Sequence, residues 1–254
     1  MRRIFIITLQ SLKLLVRDKI FYPATFIACM SMLLFDQYKE WGVADNRLIF
    51  FNLLFFCFYF LCSLIAIFWG TKLLNHRDAY LEMPLSTNLS RSQLVIARYL
   101  ALSLALFYIA AIFIGLAQIF LFLNQYGFIS RESLFVFVGL FSGVLVVAAL
   151  SIAMSSLLSP NIALFSTLSL WIIGLTISTI YQTLPFHTPG FVKVLVENFA
   201  LVWDLQRFNY IELYNQDVKM TLSMFKNTLL YFCSLITLFL TFTCFDFSKK
   251  DINY

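Results

Sequence analysis

Charge is what this chain has least of. Asp, Glu, Lys and Arg together make up 12% of its 254 residues, about half the share found in soluble domains. Glycine (8) and proline (5) are also sparse, which argues against a barrel of turn-linked strands. There are two histidines, His76 and His187, and neither lies near a cysteine in sequence. The five cysteines (Cys29, Cys57, Cys62, Cys233, Cys244) form no C-x-x-C pair and all fall within apolar runs. Neither a disulfide framework nor a zinc site is expected from such spacing. No G-x-x-x-x-G-K-[ST], H-E-x-x-H or G-x-S-x-G occurs, so the chain lacks a P-loop, a zincin helix and a nucleophile elbow. It is expected to bind no cofactor of its own and to be no enzyme. The net charge of +5 is scattered and forms no basic stripe for nucleic acid.

What remains is hydrophobicity. Apolar residues make up 61% of the chain, 30 of them Phe, and the mean hydropathy is +0.86. This balance describes a polytopic membrane protein with bulky, lipid-facing helices. Six runs approach the roughly 20 apolar residues that cross a hydrocarbon core: 20–35, 48–70, 94–123, 134–157, 162–182 and 227–245. Between Ser133 and Val192 there is no Asp, Glu, Lys or Arg. That interval is too long for one span, and "LLSPN" (Leu157–Asn161) divides it, because Pro160 and Asn161 form turns. Arg2 and Arg3 precede only the short "IFII", with Lys13, Arg17, Asp18 and Lys19 after it; a cleavable signal is not expected. Basic residues collect in the N-terminal segment, in the 71–98 interruption and in the tail, which carry eleven of the 18 Lys and Arg. By the positive-inside rule both termini are expected in the cytoplasm.

Two further segments stand out. Residues 2–19 place Ile4, Ile7, Leu12, Leu15 and Val16 between charges, the spacing of an amphipathic helix at the membrane interface. The external stretch 184–222 is long, aromatic and lightly charged, and such loops carry function or structure of their own. Its run Phe191–Trp203 is expected to be helical and able to dip into the outer leaflet, provided its backbone ends are buried in protein. No ionisable residue lies at the middle of a span, which argues against a proton- or ion-coupled carrier. The neutral polar residues Gln118, Ser151, Ser155, Thr176 and Ser178 read either as interhelical hydrogen-bonding groups or as the lining of a substrate path. "GLFSG" (Gly139–Gly143) is a G-x-x-x-G, a weak signal of close helix packing.

The polar stretch "YLEMPLSTNLSRSQLVIARYL" (Tyr80–Leu100) exceeds what a plain connector needs. Here the chain resembles the type-2, exporter-class permeases of ABC transporters. "LKLLVRDK" (Leu12–Lys19), with Arg17 and Asp18, resembles that family's interfacial connecting helix. "AYLEMPLS" (Ala79–Ser86) followed by "SRSQLVIARYL" (Ser90–Leu100) resembles its coupling region. The stretch after the fifth span resembles its membrane-dipping outer hairpin, and "FDFSKKDI" (Phe245–Ile252) resembles its basic tail. The family often has Gly-Thr where Asp78, Ala79 and Tyr80 stand, and Gly-Lys where Ala97 and Arg98 stand; extra residues 87–89 also separate Pro84 from Arg91.

The resemblance implies an all-α membrane protein of six transmembrane helices, with an interfacial helix (1–19), a cytoplasmic coupling loop (71–93) and an external re-entrant segment (184–222). It implies His76, Arg77, Asp78, Tyr80, Glu82, Pro84, Ser86 and Arg91 as the ATPase-coupling residues. The implied partners are a P-loop ATPase subunit, which would hold ATP and Mg, a second permease subunit and membrane lipid, with no nucleic acid. The implied place is the bacterial cytoplasmic (inner) membrane, and the implied cargo is amphipathic or lipid-like. Two alternatives stay open at this point. One is a non-catalytic scaffold of an envelope complex. The other is a lipid-modifying enzyme that would use Glu197, Asp204 and Glu212.

Overall fold

A computed structural model describes residues 2–17, 46–74, 90–125, 127–183, 190–216 and 222–249, together with Phe26 and Met30. The expected first span, 20–35, lies outside the described residues apart from those two positions, as do 75–89 of the expected coupling loop. All regular structure among the described residues is helical. The elements are α1 (Arg2–Arg17), α2 (Asn46–Leu73), α3 (Arg91–Leu123), α4 (Arg131–Leu157), α5 (Pro160–Thr183), α6 (Gly190–Val202), a 3₁₀ turn (Leu205–Phe208), α7 (Ile211–Asn215) and α8 (Leu222–Lys249). Five helices, α2, α3, α4, α5 and α8, are long and apolar enough to cross a membrane. This is the build of a multi-pass membrane protein.

Local chemistry sets the helix ends. Ser90 caps α3, its Oγ accepting from the Gln93 N–H at 3.4 Å. Ser130 caps α4 in the same way through Ser133 N–H at 3.2 Å, supplying acceptors for amides that have no intrahelical partner. Pro160 opens α5, where its missing N–H costs nothing and its fixed φ is already helical. Between α3 and α4 the chain turns through Gln125 and Gly127, both at positive φ.

Helix α4 is the most enclosed of the five. Its run Val146–Ala153 is buried throughout and lets neighbours approach closely. Gly70 of α2 sits so near Ser151 that an added Cβ would lie 1.7 Å from the hydroxyl oxygen. The Ser151 hydroxyl donates to Ala66 O at 3.0 Å and to its own helix at Ala148 O at 2.8 Å. Between helices in lipid, such close packing supplies the association that water supplies elsewhere.

The phenylalanines are not all lipid-facing. Phe50 stacks on Phe120 at 3.9 Å, Phe58 meets Phe113 edge-on at 5.5 Å, and Phe55 and Phe58 both meet Phe137. One face of α2 thus joins α3 and α4 through edge-to-face rings. Phe56, Phe107, Phe122 and Phe165 remain exposed, as expected for side chains turned to lipid.

Candidate functional site: a basic helix end and an inserted segment

At one end of the bundle three segments distant in sequence come together. Thr8 of α1 donates to Ala97 O of α3 at 3.3 Å and to its own Ile4 O at 2.9 Å, and Ile7, Ser11 and Leu15 are buried along the same face. Arg91, the first residue of α3, donates through Nη1 to Ser248 O at 3.0 Å and Phe247 O at 3.4 Å. A guanidinium placed on the last carbonyls of a helix satisfies orphan acceptors and matches the negative end of the helix dipole. Cys244 of α8 also lies 3.9 Å from Ser92 O. Helix α3 is 33 residues long, about 50 Å, well beyond a hydrocarbon core of about 30 Å. Its basic head, with Arg91 and the buried Arg98, is where α1 and the tail of α8 attach.

Of the expected coupling residues, Arg91 is therefore placed, on the tail of α8. His76, Arg77, Asp78, Tyr80, Glu82, Pro84 and Ser86 lie outside the described residues, and so does Asp18. Arg17 is described only as the last residue of α1.

The second feature is built from residues 203–214, which fold back into the bundle. The indole N–H of Trp203 donates to Leu170 O at 2.7 Å. Leu170 is 13 residues from the end of α5 at Thr183, about 20 Å along its axis. Gln206 Nε2 donates to Leu175 O at 2.7 Å and Thr179 Oγ1 at 3.0 Å, roughly one and a half to two and a half turns nearer that end. Phe208 lies on Gly143 of α4 and Tyr210 on Gly139, while the Tyr210 hydroxyl meets that of Thr228 on α8. Tyr214 then meets Phe51 and Phe55 edge-on, each at 5.7 Å. The partners climb in order: the chain is deepest at Trp203 and rises through Phe208 and Tyr210 to Tyr214. Helix α6, 13 residues and about 20 Å long, supplies the descending limb and has no buried residue.

The turn leaves few polar groups unserved. Tyr231 of α8 accepts from Asp204 N–H at 2.9 Å and donates to Val202 O at 2.8 Å. Asp204 Oδ1 accepts from Gln206 N–H at 3.0 Å, capping the 3₁₀ turn. Asp204 Oδ2 lies 3.5 Å from Arg207 Nε, and the Arg207 guanidinium rests over the Tyr231 ring at 4.9 Å. Buried Trp203, Leu205, Phe208 and Tyr210 make the segment part of the core.

"GLFSG" therefore does mark close packing, but against the inserted segment. A Cβ at Gly139 would lie 2.6 Å from Tyr210 Cδ2 and 2.8 Å from Phe208 O, and one at Gly174 would lie 2.7 Å from Trp203 Nε1.

The five polar residues read from the spans do not converge. Gln118 holds the α3–α4 loop, accepting from Ile129 N–H at 3.1 Å and donating to Gly127 O at 3.4 Å. Ser151 sits in the α2–α4 contact, with buried Ser155 one turn further along α4. Thr176 is exposed and bonds to its own helix at Ile172 O, and Ser178 is half-buried on α5. Glu197 lies exposed on α6 and Glu212 on α7, while Asp204 is committed to Arg207 and Gln206. Among the described residues no group of three His, Cys, Asp or Glu is placed to hold a metal ion.

Trp203, Tyr231, Tyr210 and Arg207 are the residues that sequence reasoning did not single out. For Trp203 and Tyr210 the one signal was the aromatic content of the external stretch; Arg207 was only one of its few charges, and Tyr231 sat unmarked in the last apolar run. No protein-family model matches the chain, and no curated protein matches it.

Proposed function

We propose that the chain is the membrane-spanning subunit of an ABC exporter of the type-2 permease class, driven by ATP that a separate P-loop subunit hydrolyses. One observation carries the reading. The basic amphipathic helix α1 is bound to the head of α3, directly after the polar 75–89 stretch, and Arg91 ties that head to the end of α8. A push on the loop would be delivered to α3 and, through Arg91, to α8 as rigid bodies. Uncovered Phe5, Ile6 and Leu9 on the outer side of α1 suit a helix lying at the headgroup boundary.

In this reading the span 20–35 completes six, both termini are cytoplasmic, and the membrane is the bacterial inner membrane. Residues 190–216 form a re-entrant hairpin from the outer side. Its turn hydrogen-bonds to carbonyls of α5 and to Tyr231, which is the condition for irregular backbone at membrane depth. A second permease subunit would complete the path, and the ATP and Mg sites would belong to the ATPase.

The test is purification of the tagged chain from its native host in mild detergent. The expected result is co-recovery of a P-loop ATPase, lost when Pro84 and Arg91 are replaced by Ala. Repeated recovery without any ATPase would leave a scaffold subunit as the better account.

A further inference from the structure

Helix α1 carries four cations, Arg2, Arg3, Lys13 and Arg17, and no Asp or Glu. One side of it is settled. Ile7, Thr8, Ser11 and Leu15 are buried, and Thr8 donates to Ala97 O of α3. The other side is uncovered: Phe5 is 65% exposed, Leu9 51% and Ile6 46%, and Lys13 is exposed as well. At about 3.6 residues per turn, the helix positions of Arg2, Lys13 and Arg17 fall within about 60° of one another, opposite the centre of the buried stripe. Position 3 widens that arc to about 100°. The uncovered face therefore sets apolar and basic residues side by side.

The level of this helix relative to a bilayer follows from α3. Arg98, one residue past the Thr8 contact, is the last charge before the stretch Tyr99–Ser130, which holds no Asp, Glu, Lys or Arg. The hydrocarbon crossed by α3 thus begins where α1 is attached, which holds α1 at the headgroup layer. Other cations share that level. Helix α2 runs antiparallel to α3, with Phe58 against Phe113 and Phe50 against Phe120, and this brings exposed Lys72 to the height of Arg98. Arg91 reaches the Ser248 carbonyl, and the neighbouring Lys249 ammonium lies over the Phe245 ring at 4.0 Å. Among the described residues Asp246 is the one carboxylate at this end, and its Oδ2 is buried.

We propose that the outer face of α1 is a docking surface for anionic phospholipid headgroups. Lys13, with Arg2, Arg3 and Arg17 on the same arc, would meet the negative headgroups, while Phe5, Ile6 and Leu9 would reach between the upper parts of the acyl chains. Charge complementarity selects this occupant. A neutral leaflet would take the apolar residues and leave the cations unmatched, and a soluble acidic partner would not account for attachment where the hydrocarbon begins. Lipid charge would then help to hold α1 on α3, since whatever binds the docked helix favours docking. This assigns a lipid charge to the interfacial helix of the proposed exporter; it rests on α1 lying at the headgroup boundary and needs no ATPase.

The test places the full chain in nanodiscs of phosphatidylcholine, alone or mixed with phosphatidylglycerol, and follows amide hydrogen exchange of residues 2–17 by mass spectrometry. A cation held at an anionic surface is worth about fivefold, so these amides should exchange at least about tenfold more slowly in the mixed discs, with those of α4 unchanged. Salt at about 1 M, where the screening length is about 3 Å, should remove the difference. Replacing Arg2, Arg3 and Lys13 together by Gln should abolish the phosphatidylglycerol effect and leave exchange in pure phosphatidylcholine as it was. Leu9→Ser should speed exchange in both lipids. Equal exchange in the two lipids, with Leu9→Ser still effective, would overturn the charge recognition and leave α1 at the boundary. Equal exchange with no effect of Leu9→Ser would overturn the boundary position too. A phosphatidylglycerol effect that persists in the triple variant would show that other residues read the charge, and would overturn the assignment to α1.

Discussion

Gly139 and Gly115 are both helical glycines, and they should respond to alanine with opposite signs. In a helix interior Gly→Ala gains about 1 kcal/mol from backbone entropy. At Gly115 on α3 nothing lies within 4 Å of the added Cβ, so that gain should appear in full. At Gly139 the Cβ meets the Tyr210 ring at 2.6 and 2.8 Å and Phe208 O at 2.8 Å. The ring can swing, but the carbonyl oxygen is backbone and can move only if the inserted segment moves. Overpacking of this kind costs about 1–3 kcal/mol, and shifting Tyr210 also breaks its bond to Thr228, about 1 kcal/mol more. The balance for Gly139→Ala is a loss of about 1–3 kcal/mol, concentrated in residues 203–214. Thermal unfolding in one detergent should give a lower midpoint for Gly139→Ala and an equal or higher one for Gly115→Ala. Limited proteolysis of the 190–216 segment should accelerate only in the former. Equal midpoints and equal proteolysis for the two variants would refute the placement of Phe208 and Tyr210 on α4.

Gly70→Ala should be severely destabilising, because its Cβ would overlap Ser151 Oγ; adding Ser151→Ala should restore part of the loss, with a coupling of about 0.5–3 kcal/mol in a double-mutant cycle, and strict additivity would count against the α2–α4 contact. Trp203→Phe removes the donor to Leu170 O but keeps most of the ring, so a loss of about 1 kcal/mol and faster proteolysis of residues 190–216 are expected; no change in either would show the segment is not docked there. Asp204→Asn keeps the acceptor for Gln206 N–H and removes the charge that faces Arg207, so a loss of at most about 1 kcal/mol is expected, with the 190–216 segment still protected from proteolysis; exposure of that segment would contradict the hydrogen-bonded cap.

The long helices are legible in the sequence as apolar runs, and the break near Pro160 is real, but Pro160 and Asn161 open α5 rather than form a turn, because a proline fits the first turn of a helix as well as a loop. Their lengths were read short. Hydropathy gave 94, 134 and 227 as span starts, whereas the helices run from Arg91, Arg131 and Leu222, since a helix continues through polar residues after the apolar stretch ends. The same blurring hid Gln118, which lies in an apolar run yet serves the loop one turn beyond it. Thr176 seemed available to line a path, but a hydroxyl that bonds back to its own i−4 carbonyl is already satisfied, and sequence does not show that choice. Gly139 and Gly143 announced a close approach without saying of what. The approach is made by Phe208 and Tyr210, more than 60 residues later, and only tertiary geometry pairs them.

The central claim is that the 75–89 stretch engages an ATPase. A photo-crosslinking amino acid at Ser86, introduced into the chain in its native host and activated in intact cells, tests it most directly, with the same probe at Gly127 as the control for the opposite end of the bundle. The expected result is a Ser86 adduct whose peptides come from a P-loop ATPase, with none from Gly127. Adducts from Ser86 that never contain an ATPase peptide, in cells where the chain is at its normal level, would contradict the account.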